Sequence, residues 1–157
     1  MTDIATVEVT IHVPAAPAAV FPYLTDPAWY VRWMGSEARL EPVPGGVYRV
    51  AMADGFAAAG RFVRVEGPRI VAFTWGFADE EAASHTKGDQ PPGPMPAGST
   101  RVTVTLHDEN GGTRLTLRHE DLPSAELCAA HDVAWNTYLP RLAVVAAGGD
   151  PGPDPHA

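Results

Sequence analysis

The sequence of 157 residues predicts an α+β domain, in which a curved antiparallel sheet of about six to seven strands grips a long C-terminal helix. Three patterns lead to this expectation. Residues 7–13 alternate strictly between apolar and polar side chains, which is typical of a half-buried strand. Further alternating segments fill residues 47–77 and 101–120 and contain glycine-rich turns. Residues 124–147 then change to an apolar spacing of three to four, which indicates a helix.

Two short helices are predicted after the first strand. The first lies in residues 14–25, where Val20, Phe21 and Leu24 have helical spacing. Pro22 has no backbone N–H and limits this helix to a short one.

The second short helix is predicted over residues 26–35, DPAWYVRWMG, and has about two turns. Asp26 can cap its start, Pro27 suits the first helical position and Gly35 can end it. Trp29 and Trp33 are four residues apart, so an intact helix places both indoles on one side. Half of the four tryptophans of the chain therefore fall in this segment.

The remaining strands are predicted in three segments, which are VYRVAM (47–52), GRFVRVEGPRIVAFTWGF (60–77) and RVTVTLHDENGGTRLTLRHE (101–120). The sequence ADGF at 53–56 is a hairpin signal between the first two segments. Turns are expected at residues 66–69 and 110–112 as well. By alternation, His119 shares a face with Leu115 and Leu117.

One domain over residues 1–147 is expected, followed by a disordered tail at 148–157 that is too rich in proline, glycine and charge to bury a core. Within the domain, residues 78–99 form a long loop rich in proline, glycine and alanine, which is either a functional lid or disordered. In the 124–147 helix, Pro140 should introduce a bend.

Composition excludes several classes of function. The formal net charge of −8 argues against binding to nucleic acid, whose phosphates require a basic surface. No stretch of about 18 apolar residues spans a membrane, and the N-terminus lacks the features of a signal peptide. The single Cys128 forms no internal disulfide, so a cytoplasmic protein is expected.

The order of these segments resembles the START/SRPBCC superfamily, whose members have the helix-grip fold of birch-pollen-allergen-like proteins. Within it, the chain is similar to the branch named for the activator of the heat-shock-protein-ninety ATPase. The residues that carry the resemblance are VFPYLTDPAWYVRWMG (20–35), PGGVYRVAM (44–52), GRFVRVEGPRIVAFTWGF (60–77), STRVTVTLHDENGGTRLTLRHEDL (99–122) and the helix with His131, Trp135 and Leu139. The resemblance covers residues 6–146, although the 78–99 loop and Pro140 depart from the common pattern.

The resemblance implies a cavity between the long helix and the sheet, which relatives use for lipids, sterols, polyketides or plant hormones. Two other functions are implied by the same superfamily, namely a polyketide cyclase or aromatase activity and interaction with a chaperone. The chain lacks the extra N-terminal domain of the eukaryotic co-chaperone, and this departure weakens the chaperone alternative.

Histidines are the first candidates for catalysis or metal binding. No pair has the spacing of a metalloprotease helix and no cysteine cluster supports zinc, so no metal and no cofactor is predicted. His119 and His131 are both expected to face the interior. They are either hydrogen-bonded core residues or polar contacts for a ligand. Acid–base catalysis would also need a matched acid, which the sequence does not reveal.

Aromatic side chains are the strongest functional signal, because an interior rich in Trp, Tyr and His suits an amphipathic cavity better than a dry core. The leading hypothesis is a protein that binds a small hydrophobic or aromatic molecule without covalent chemistry; homodimerisation is a further expectation. Trp29 and Trp33 would wall one end, with His119, His131 and Tyr138 as polar contacts. The predicted lining residues are Trp29, Trp33, Tyr48, Met52, Phe73, Trp75, His119, His131, Trp135 and Tyr138.

Overall fold

Seven strands form one antiparallel sheet in the computed structural model, which describes residues 6–52, 57–77 and 95–155. Their spatial order is β1-β7-β6-β5-β4-β3-β2. The strands are β1 Val7–Val13, β2 Glu37–Leu40, β3 Val47–Ala51, β4 Ala57–Glu66, β5 Ile70–Trp75, β6 Thr100–Glu109 and β7 Gly112–Glu120. The helices are α1 Pro17–Val20, α2 Pro22–Thr25, α3 Pro27–Tyr30 and α4 Ala125–Ala146. This arrangement confirms the predicted α+β class and the sheet that curves around the C-terminal helix.

Consecutive strands pair with each other from β2 to β7, and β1 forms the other edge of the sheet by pairing with β7, Val9 opposite Leu117. The β6–β7 hairpin turns at Asn110 and Gly111, both with positive φ, as the glycine signal predicts. The β4–β5 turn lies at residues 67–69 as expected, whereas the predicted turn at 53–56 lies outside the described residues.

Strand β2 is an addition that the sequence analysis missed. Its four residues read EARL, and only Leu40 is buried. It lies at the sheet edge and pairs with β3 alone, so it needs no alternating apolar face to be stable. A segment this short and polar carries too weak a pattern for prediction.

The first short helix is divided into two single turns, α1 and α2. Pro22 cannot donate a hydrogen bond and therefore begins a new turn instead of continuing the old one. Helix α3 starts as predicted, because the Asp26 carboxylate accepts a hydrogen bond from Ala28 N at 3.0 Å.

Helix α3 ends at Tyr30, so the prediction of two helical turns over residues 26–35 is wrong. The chain continues as tighter turns, with Arg32 N bonded to the carbonyl of Trp29 at 3.1 Å. Gly35, which has φ +85°, ends the segment as expected. Because the helix is short, the two indoles do not share a face.

Helix α4 is 22 residues long and provides one side of the core. The Ser124 hydroxyl caps it by accepting a hydrogen bond from Leu127 N at 3.1 Å. The helix continues through Pro140, which lies on the exposed face. Because that face meets water, the carbonyl of Asn136 that proline leaves without a donor can be hydrated. In the part of the chain described, no helix is long and apolar enough to span a membrane.

The C-terminal segment contacts the domain through residues 150–154, whereas the disorder of residues 148–157 stays a prediction. Arg141 of α4 donates hydrogen bonds to three successive carbonyls of this segment. Its Nε atom also donates to the carbonyl of Trp33 at 3.0 Å. We call residues 150–154 the C-terminal strap, since they join α4 to the segment that follows α3.

Asp154 fastens the far end of the strap. One carboxylate oxygen accepts a hydrogen bond from the Tyr138 hydroxyl at 2.8 Å, and the other accepts from Gly35 N at 3.3 Å. Prolines and glycines bury little apolar surface, which is why composition predicted disorder. The contacts to Arg141 form instead through backbone carbonyls, which every sequence provides.

Of the predicted 78–99 loop, residues 78–94 lie outside the described part of the chain, so its role as a lid stays a prediction. The two ends of the loop are adjacent, since Phe77 N donates to the carbonyl of Met95 at 2.9 Å. Met95 is buried against the core.

Arg141→Lys should lower the free energy of unfolding by about 1–2 kcal/mol, because lysine lacks the planar fork that reaches several carbonyls at once. Urea unfolding checks the stability, and NMR relaxation of the Gly152 and Asp154 amides checks whether the strap is released. Arg118→Lys is the control, since Arg118 forms exposed ion pairs that contribute little. Unchanged relaxation in Arg141→Lys would contradict the role of the guanidinium.

Candidate functional site

Aromatic rings fill the interior between α4 and the sheet. The backbone of α4 runs closest to β1, and large buried side chains of β3 and β5 belong to the same core as the inner face of the helix. Tyr48 of β3 stacks on Phe73 of β5, with ring centroids 4.0 Å apart. Trp75 of β5 packs against Trp135 of α4, with centroids 5.1 Å apart. We call these four residues the ring cluster.

Eight of the ten predicted lining residues are buried in the same core, and these are Trp33, Tyr48, Phe73, Trp75, His119, His131, Trp135 and Tyr138. Met52 is half-buried at the margin of this core. That the eight residues line a cavity stays a prediction, because burial together is compatible with simple packing.

Trp29 does not lie in the interior. Its side chain is 39% exposed, its ring edge meets Tyr23, and the guanidinium of Arg32 lies over it at 5.9 Å. Trp33 is 1% exposed and donates its indole N–H to the carbonyl of Tyr23 at 2.9 Å. The expectation that both indoles wall the interior is therefore wrong for Trp29, because α3 ends before Trp33 and the two side chains diverge.

Two tryptophan–histidine hydrogen bonds connect the sheet to α4. Trp75 of β5 donates its indole N–H to Nε2 of His131, on α4, at 3.3 Å. Trp135 of α4 donates in the opposite direction, to Nδ1 of His119, on β7, at 3.1 Å. The two imidazole rings lie edge to face, with centroids 5.0 Å apart.

The remaining ring nitrogens are also occupied. An indole N–H only donates, so the histidine nitrogen that accepts it carries no proton. His131 therefore carries its proton on Nδ1, which donates to the carbonyl of Leu127 at 2.9 Å. His119 carries its proton on Nε2, which donates to the Thr100 hydroxyl at 2.8 Å. Thr100 in turn donates to the carbonyl of Trp75 at 2.7 Å.

Both histidines are held neutral. Burial, and secondarily the neighbouring His131, lowers the pKa of His119 to about 2. Burial also lowers the pKa of His131, although its bond to the Leu127 carbonyl opposes the shift. With both rings neutral and every ring nitrogen bonded to protein, this arrangement is that of hydrogen-bonded core histidines. Neither ring offers a nitrogen for acid–base catalysis.

Tyr138, the third predicted polar contact, donates its hydroxyl to Asp154 of the C-terminal strap. One buried polar pair is not fully hydrogen-bonded within the described residues. It includes Tyr30, which was not among the predicted lining residues. The hydroxyls of Tyr30 and Tyr48 hydrogen-bond to each other, and both side chains are buried. Burial raises the pKa of both phenols well above the usual range, so both keep their protons.

The Tyr30–Tyr48 pair contains a hydroxyl hydrogen without an acceptor. Two hydroxyls have two hydrogens, and the bond between them uses only one. Within the described residues, neither hydroxyl has another hydrogen-bond partner. In the sequence, Tyr30 looks like an ordinary core residue because it is four residues before Met34. The hydroxyl hydrogen without an acceptor becomes apparent only when Tyr48 is seen to be its partner in the fold.

Metal binding has no support within residues 6–52, 57–77 and 95–155. No group of three or more histidine, cysteine, aspartate or glutamate side chains in these ranges could hold an ion.

A family model described as "Activator of Hsp90 ATPase homolog 1-like protein" matches residues 14–147. The chain belongs to this family. A member of known structure, the AHSA1-like protein from Rhizobium etli, is 42% identical to the chain. Its solution structure matches with a TM-score of 0.69, over 96% of this chain and 87% of the other. Among curated proteins, none matches the chain significantly.

More distant structures share the fold alone. DynU16, a protein of the dynemicin biosynthetic locus, is 24% identical and has a TM-score of 0.75 over 97% of this chain. The chain spans about half, 51%, of the length of DynU16. The Aha1 dimer from Colwellia psychrerythraea is 17% identical, with a TM-score of 0.70 over 91% of this chain and 96% of the other.

Acid should destabilise the protein through its two interior histidines. The unfolded chain binds protons below about pH 6.5, whereas the folded histidines with lowered pKa do not. The stability that the two neutral histidines contribute is therefore fully present above pH 6.5. The His119 part of it is lost as pH falls toward its folded pKa of about 2. For His119 alone the loss reaches about 3 kcal/mol at pH 4.5.

Urea unfolding between pH 7 and pH 4.5 measures this slope. It should become shallower in His119→Gln, whatever the absolute stability of the variant. The matched control is His107→Gln, because His107 is an exposed residue of β6. An identical slope in native protein and His119→Gln would contradict the neutral state of His119.

The tyrosine pair makes a second prediction about stability. Tyr30→Phe or Tyr48→Phe alone should cost about 1 kcal/mol or more, because the surviving buried hydroxyl loses its only partner. The double variant removes both hydroxyls and should be as stable as the native protein or more stable. Urea unfolding of all four proteins gives the coupling, and additive losses would show that the hydroxyls have other partners.

Proposed function

We propose that this protein binds a small hydrophobic or aromatic molecule between α4 and the concave face of the sheet, without covalent chemistry. The supporting observation is the ring cluster, in which Tyr48, Phe73, Trp75 and Trp135 occupy the space beneath the helix. Flat rings present large apolar faces that an aromatic guest can replace or stack on. Aliphatic side chains would fill a dry core without indole and phenol groups that need partners.

Hydrogen bonding of the two tryptophans of the ring cluster to His131 and His119 favours binding over catalysis. The histidine nitrogens and indole N–H groups of the two tryptophan–histidine pairs are bonded to protein, so a guest meets ring faces instead of reactive groups. A cyclase or aromatase alternative requires His119 and His131 to reach a common substrate. Their bonds to Thr100 and to the Leu127 carbonyl leave them without a nitrogen for that role.

A route into the interior is suggested at the end of β5. The Phe77 ring lies 6.2 Å from His131 and is only half-buried. Trp75, Met95 and His131 retain about 5% exposure each. The aromatic interior therefore extends to the half-buried Phe77 just after β5.

Similar proteins support two candidate functions, small-molecule binding and interaction with a chaperone. DynU16 comes from a biosynthetic locus, which is consistent with a small-molecule ligand for this fold. The family description and the Aha1 dimer keep interaction with a chaperone, and homodimerisation, as alternatives. Chaperone binding predicts an apolar surface patch. The exposed large apolar side chains among the described residues come from α3, the β2–β3 connection, β4 and α4, and include Trp29 and Val133.

Ligand titration tests the proposal. Saturable quenching of tryptophan fluorescence by a panel of neutral polycyclic aromatics and hydrophobic dyes is the expected result. Trp135→Phe should weaken binding about tenfold, since part of one large ring face is lost. Trp29→Phe is the matched control and should leave affinity unchanged because Trp29 lies at the surface. Absence of saturable binding across the panel, or equal loss in both variants, would rule the proposal out.

A further inference from the structure

We propose that the Tyr30–Tyr48 hydroxyl pair is the polar recognition point of the interior site and donates a hydrogen bond to an uncharged acceptor, such as the carbonyl oxygen of an aromatic ketone or quinone. This inference rests on the proposed function and deepens it, because it specifies the chemical class of the ligand.

The Tyr30–Tyr48 pair has one hydrogen-bond donor without an acceptor among the described residues. Each phenol can donate once, and the single bond between the two hydroxyls leaves one donor unmet. Tyr30 is 1% exposed and Tyr48 is fully buried, so bulk water does not satisfy this donor. A buried hydroxyl without an acceptor is costly, and two phenylalanines would avoid the cost. The interior therefore retains a polar group whose acceptor a ligand can supply.

The pair adjoins the ring cluster, because Tyr48 is one of the four cluster residues and Tyr30 packs against it. Tyr48 stacks on Phe73 at 4.0 Å and contacts Trp75 at 6.0 Å between centroids. Tyr30 packs on Trp33, with ring centroids 4.8 Å apart. A guest that inserts between these rings would come within reach of the two hydroxyls.

An uncharged acceptor fits the surroundings better than a carboxylate. The rings around the pair are those of Trp33, Phe62, Phe73 and Trp75, none of which carries charge. His119 and His131 are neutral and already bonded, so neither supplies a compensating cation. Burying a carboxylate without a counter-charge is far more costly than burying a carbonyl. Fatty acids are therefore disfavoured relative to neutral aromatic ketones.

Two probes that differ at one position separate the outcomes. Fluorene and 9-fluorenone have the same three-ring outline, but only 9-fluorenone has an acceptor oxygen. Calorimetric titration gives the ratio of the two dissociation constants for the native protein and for Tyr30→Phe/Tyr48→Phe. We expect this ratio to shift by about tenfold against 9-fluorenone in the double variant, the value of one hydrogen bond. The carbonyl stretching band of bound 9-fluorenone should move to lower wavenumber only in the native protein.

Tyr23→Phe is the matched control, because the Tyr23 hydroxyl is buried but donates to the carbonyl of Val145 at 3.3 Å. This variant should keep the native ratio. If the ratio is the same in native protein and double variant while both probes bind, the inference is wrong and the proposed function stands; a bound water that satisfies the pair would give this result. If neither probe binds the native protein, the inference fails, and the proposed function fails with it only if no member of the full aromatic panel binds either.

Discussion

Two reciprocal hydrogen bonds hold the long helix over the sheet, and the rest of the interior is arranged around them. The sheet contributes Trp75 as donor and His119 as acceptor, while α4 contributes Trp135 as donor and His131 as acceptor. A helix rotated by one residue turns its side chains by about 100° and would break both bonds together. The pairs therefore fix the rotation of α4, which apolar contacts alone would leave less strictly defined. In this role both nitrogens of each imidazole are bonded to protein, so neither ring has a nitrogen left for acid–base chemistry.

Apolar and polar parts of the interior have different consequences for function. Contacts between the ring faces of the cluster are not directional, so one ring face can replace another of similar size without leaving a polar group unpaired. The hydrogen-bonded atoms of the histidine pairs cannot, since each broken bond would leave a buried group unpaired. The Tyr30–Tyr48 pair combines the two properties: it lies among the rings and still has hydrogen-bonding capacity. Recognition of a ligand through this pair would leave the helix-to-sheet connection intact.

Sequence periodicity predicted the parts of the fold that depend on local geometry. Alternation placed His119 beside Leu117 on the inner face, and helical spacing placed His131 one turn before Trp135. Periodicity could not predict which residues bond to each other across the fold. The bond from Trp135 to His119, for example, depends on where α4 crosses the sheet. Trp29 was misplaced for a related reason: the end of α3 after one turn depends on the tighter turns that follow, which capping signals do not reveal.

The C-terminal strap is recognised almost entirely through its backbone. Arg141 contacts the carbonyls of Pro151, Gly152 and Pro153, and Asp154 alone contributes a side chain to the attachment. Substitution of strap residues other than Gly152 and Asp154 would leave these carbonyls in place, provided the chain keeps its path through Gly152, whose φ is +80°. The attachment therefore depends on the path of the backbone more than on the other side chains of the strap. An arginine in the last turns of the helix would therefore indicate a bound strap better than similarity in the strap sequence itself.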